Sequence, residues 1–96
     1  MLVLVAIDVK TDEKRNALVN ILKKMGSWAR INRGLWAIQT FAYPVRSIRD
    51  VLGANIEEGE SVFVADISGS MWSCRGVANS VGDFLHKKQR QELGEC

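Results

Sequence analysis

Histidine, cysteine and proline are scarce in this chain of 96 residues, which holds one His, two Cys and one Pro. His86, Cys74 and Cys96 are its only His and Cys side chains, one short of a structural zinc set. No C-x-x-C pair occurs, and no third group presents itself to orient a Cys–His pair for nucleophilic catalysis. Long apolar runs are missing as well. The run from Met1 to Ile7 ends at Asp8, far short of the roughly 20 residues a membrane span needs. A basic leader with a small-residue cleavage site is not present either. A cytoplasmic protein without membrane association is therefore expected, with both thiols reduced and free. The net charge of +2 is too small for a strongly basic nucleic-acid binder.

The charge is unevenly spread. Residues 1–48 carry eight Lys or Arg against three acids, and residues 49–75 carry two against five. The basic residues Lys10, Lys14, Arg15, Lys23, Lys24, Arg30 and Arg33 make a local patch. Such a patch is either a solvated face or a phosphate contact.

Apolar fraction (47%) and charged fraction (25%) suit one ordinary globular domain. Leu2–Ile7 reads as a central strand. Thr11 or Asp12 caps a helix over 12–25, whose stripe is Leu18, Ile21, Leu22 and Met25. Gly26 suits its end because glycine tolerates positive φ. Residues 28–32 and 35–41 form a hairpin around Asn32-Arg33-Gly34. Pro44 opens a second helix with Val45, Ile48, Val51 and Leu52 on one side. Residues 61–67 form a fourth strand.

The order β-α-β-β-α-β closes as a ferredoxin-like α+β fold, a four-stranded antiparallel sheet with both helices on one face. The expected strand order is 4-1-3-2. Residues 1–67 form this core, and 68–96 are a C-terminal extension of the same domain. The extension carries a helix over 77–90 and then a loose polar end. It or a second copy of the chain covers the open sheet face. Trp28 and Trp36 read as core or dimer-interface residues, because the aromatic pattern of RNA-recognition strands is absent.

Asp66-Ile67-Ser68-Gly69-Ser70 matches the D-x-S-x-S pattern of von Willebrand A metal sites. The later ligands of that family are missing here, so the segment reads as a polar strand exit. Asp8 and Asp66 end antiparallel neighbours and lie at opposite ends of the sheet. A two-carboxylate site therefore needs a second subunit. On the residues alone, Asp8 is either a strand-end acceptor or a Mg²⁺ anchor.

The strand Leu4-Val5-Ala6-Ile7-Asp8, the basic first helix and the hairpin Arg30-Ile31-Asn32-Arg33-Gly34-Leu35-Trp36 resemble a known family. It is that of the small CRISPR-associated adaptation proteins, the subunit usually numbered second, and their relative, virulence-associated protein D. Uncharacterised small bacterial relatives share Gly26-x-Trp28, Ile48-Arg49-Asp50 with Leu52, and Asp66, Gly69 and Trp72. The chain departs from the pattern at Gly34, where Ser is common, and after residue 67.

The resemblance implies a homodimer and a metal-dependent nuclease acting on RNA or DNA. Asp8 would be the catalytic metal anchor, facing its twin across the dimer axis and holding Mg²⁺. Lys10, Arg30 and Arg33 are the candidate nucleic-acid contacts. The alternative is a catalytically inactive homodimeric module of the same fold that binds nucleic acid or protein.

Overall fold

Leu2–Asp8 forms β1, whose residues are alternately committed to two separate apolar layers. The computed structural model describes residues 1–41, 43–88 and 94–95. After β1 come α1 (Asp12–Lys23), β2 (Ser27–Asn32), β3 (Leu35–Gln39), α2 (Val45–Gly53) and β4 (Ser61–Asp66). The extension holds β5 (Trp72–Ser73), α3 (Asn79–Lys88) and β6 (Gly94–Glu95). The main sheet runs β2-β3-β1-β4, with every neighbouring pair antiparallel. This is the expected ferredoxin-like order, with the most apolar strand inside.

Strand alternation assigns the faces. Val3, Val5 and Ile7 of β1 join Trp36 and Ile38 of β3 under Leu18 and Leu22 of α1 and Ile48 and Leu52 of α2. Leu2 and Ala37 point the other way and pack with Val81 and Leu85 of α3. The extension thus covers part of the second sheet face. Phe63 of β4, paired with Ala6, lies beyond that cover and is 68% exposed.

Thr11 caps α1, its hydroxyl accepting from the Lys14 N–H at 3.1 Å. The helix ends at Lys23, two residues before the expected end. Gly26 has no positive φ among the described residues. Its need is spatial instead, since a Cβ there would stand 1.9 Å from the Gln39 carbonyl oxygen of β3. Gly34 answers a similar approach, with a Cβ position 2.7 Å from the Ile7 carbonyl oxygen.

Three further expectations change. β3 stops at Gln39, leaving Phe41 outside the sheet. The end expected to be loose forms a strand at Gly94–Glu95, parallel to β5. Cys74 is disulfide-bonded rather than free. The last residues of the helix expected over 77–90 lie outside the described residues.

Candidate metal and nucleic-acid site

Ile7 belongs to the core under the helices, so Asp8, next along β1, points to the opposite sheet face. Asp8 is exposed, at the strand end paired with Ser61. Its carboxylate forms no hydrogen bond or ion pair among the described residues, since the cap of α1 is Thr11 and not Asp8. The Ile7 N–H donates to the Gly34 carbonyl oxygen at 2.7 Å, which brings the β2–β3 turn up beside the end of β1.

Arg30 pairs with Trp36 across β2 and β3, which puts it on the helix side of the sheet. Its guanidinium carbon lies 5.6 Å from the Trp36 ring centroid, and its Nε donates to the Asn32 carbonyl oxygen. Arg33, in the turn, donates to Asp12 at 3.0 Å. Arg15 also bonds Asp12, and these two guanidinium groups, Arg15 first, hold the Asp12 carboxyl below its ordinary value. Arg15, Lys23, Arg30 and Arg33 surround a cleft of about 360 Å³ floored by Val19 and Trp36. Asp12 is the only acid lining it among the described residues, against four cations, so the cleft is positive.

Lys10 stands apart from that cleft. Its N–H donates to Glu60 at 2.7 Å, and Lys14 binds the same carboxylate at 2.8 Å. Glu60 is held at a pKa of about 2, mainly by the Lys14 bond and then by the Lys10 N–H. The structure therefore brings Arg30 and Arg33 together, and leaves Lys10 and Asp8 at separate positions. The sequence reading places Arg15 and Lys23 in the basic patch but not in the site. The signal was the recurrence of Asp12, Arg15, Asn16, Val19 and Lys23 at helical spacing, which puts them on one side of α1.

Asp66 is engaged within its own turn. Its Oδ1 accepts from the Ser68 N–H at 2.8 Å, which lowers the Asp66 pKa, and the Ser68 hydroxyl accepts from the Leu2 N–H. Gly69 supplies a φ of 75° in the same turn. Among the described residues no three His, Cys, Asp or Glu side chains gather as a metal site. No described helix is long and apolar enough to cross a membrane.

No family model matches the chain, and no solved structure matches it. Among characterised proteins, it is 34% identical over 93 residues to the CRISPR-associated endoribonuclease Cas2 of Thermofilum pendens. The match spans 97% of this chain and 99% of that protein.

Proposed function

The chain belongs to the Cas2 family of CRISPR-associated proteins, and from that premise we propose that it is a metal-dependent endonuclease acting on RNA, with Asp8 as its metal anchor. The observation that carries this reading is the free state of Asp8. Among the described residues this carboxylate caps no helix and pairs with no cation, so it is available as a hard-oxygen ligand.

One carboxylate suits Mg²⁺, which keeps most of its water and takes one or two protein ligands. The bound ion would supply Lewis-acid polarisation of a phosphodiester. A second Asp8 comes from a second copy of the chain. The sheet face that carries Asp8 also carries the exposed Phe63, and this end is not covered by α3. A homodimer through that end sets the two carboxylates near each other and shields an apolar ring from water.

Arg30 and Arg33 bind the phosphate backbone from the positive cleft, and Lys10 adds a further cation near the start of α1. Among the described residues Arg33 is held only by an exposed pair with Asp12. Such pairs contribute little, so exchange of Asp12 for a phosphate is easy.

The test is cleavage of labelled single-stranded RNA and of duplex DNA with Mg²⁺, Mn²⁺ or EDTA. Asp8→Ala is run beside the wild type after its folding has been checked. Metal-dependent cleavage of RNA that falls at least a hundredfold in the variant is expected. Cleavage unchanged by Asp8→Ala, or none at all, would sink the mechanism in favour of a binding module without catalysis.

A further inference from the structure

The positive cleft and Asp8 leave unused a second surface, where the outer edge of β2 meets the end of α3. Two adjoining clefts, of about 680 and 470 Å³, share Ser27, Lys87 and Lys88. The larger is lined also by Thr40 and Phe41, and the smaller by Trp28 and Phe84.

Three features mark this surface, an exposed ring, an unpartnered buried hydroxyl and a pair of cations. Phe41 is 89% exposed, which leaves a large apolar ring in contact with solvent beside the larger cleft. Thr40 is 1% exposed, yet its hydroxyl has no hydrogen-bond partner among the described residues. A buried hydroxyl left in that state is destabilising, which favours a ligand or water as its partner. Lys88 lies 5.7 Å from the Phe84 ring centroid, and among the described residues Lys87 and Lys88 enter no ion pair and Asp83 is the only acid lining either cleft.

We propose that this groove binds a single-stranded nucleic acid, with a base stacked on Phe41 and backbone phosphates on Lys87 and Lys88. Rings alternating with cations along an open groove are what a single strand needs, because every base has a face to stack and every linkage a charge. A duplex keeps its bases inside and cannot use Phe41. The Thr40 hydroxyl hydrogen-bonds the strand where it enters the larger cleft. Trp28 continues the track toward the positive cleft, since Lys23 lies 4.3 Å from the Trp28 ring centroid and also lines that cleft.

The groove lies at the opposite end of β1 from Asp8. Thr40 donates its N–H to the Met1 carbonyl oxygen, whereas Asp8 is at the other end of a seven-residue strand, about 20 Å away. It would hold a substrate strand remote from the reacting bond. The proposal rests on the nucleic-acid reading above but not on Asp8 or on metal.

The test is fluorescence anisotropy in EDTA with a labelled twelve-nucleotide oligo-uridine and a twelve-base-pair RNA duplex, over a range of salt. Phe41→Ala alters an exposed ring, so folding is preserved. It is expected to weaken oligo-uridine binding roughly tenfold and duplex binding little. Lys87→Ala with Lys88→Ala should lower the salt slope for the single strand by about 1.4. Thr40→Val keeps the side-chain shape and should weaken single-strand binding without lowering folding stability. Wild-type affinity and slope in the Phe41 and lysine variants would overturn the proposal. Equal weakening of duplex and single strand by Phe41→Ala, or no binding by the wild type, would overturn it too. The metal-dependent cleavage assay with Asp8→Ala reads the catalytic proposal separately, so either can fail alone.

Discussion

Glu60 shows how much one carboxylate can organise. It accepts from the Lys10 and Glu57 N–H groups and from the Lys14 ammonium, joining the start of α1 to the turn before β4. Its pKa of about 2 lies below the ordinary 4.5, because these donors favour the charged form. The stabilisation is therefore complete above pH 4.5 and disappears as pH falls toward 2. Glu60→Gln should be less stable than the wild type at pH 7, with the two converging near pH 2. Urea unfolding at a series of pH values measures this, and a difference constant across that range would show that the bonds do not form. The Lys14 ammonium is thereby committed to Glu60 and Glu57, whereas Lys10 gives Glu60 only its backbone N–H and keeps its ammonium for other partners. Basic residues close in sequence have different partners, and only folding distributes them.

At the scale of elements, the closest constraint is between the end of α1 and β3. The helix must turn into β2 while its exit lies against the Gln39 carbonyl, and only a residue without Cβ fits. Gly26→Ala is expected to lose about 1–3 kcal/mol of stability, the usual cost of forcing extra atoms into a packed contact. A urea midpoint within error of wild type would mean that the backbone relaxes freely there. The glycine was legible as a punctuation mark in the sequence, but its reason was not. Positive φ is a local property, whereas the Gln39 contact is made by a strand thirteen residues further along. The hairpin gives a second example. Asn32-Arg33-Gly34 announced the turn, but the pairing of Gly34 with Ile7 follows from β1 and β3 lying side by side.

For the whole molecule, the main question is how the second face of the sheet is covered. Val81 and Leu85 of α3 are buried against Leu2 and Ala37, so α3 packs on the sheet. Leu85→Ala should cost about 2–5 kcal/mol, as for other buried leucines. That is a large share of the stability of a domain this small. Loss of less than 0.5 kcal/mol in chemical unfolding would show that α3 does not pack on the sheet in solution. Because α3 covers only one part of that face, the end with Asp8, Ala6 and Phe63 remains open to a second copy.

What the sequence by itself determined was the secondary structure of residues 1–67 and its order, but not the short strands β5 and β6 of the extension. Apolar spacing, a capping threonine, one proline and two turn glycines are local signals, and they specify strands and helices wherever tertiary packing agrees with them. The strand order followed from connection lengths and from the apolar character of Leu2–Ile7. The family was legible too, in Asp8 at its strand end and in the hairpin that follows. Only the tertiary structure decided which charges are free. Asp8 and Arg30 are both polar residues on strands, yet alternation and pairing send them to opposite faces. Arg15 and Lys23 join Arg30 and Arg33 because α1 packs beside the hairpin, a placement that no local signal encodes. The groove beside Phe41 arises in the same way, from a strand edge and a helix end separated by more than 40 residues of chain. Local propensity is short-ranged, whereas a site is a coincidence of distant side chains that packing alone produces.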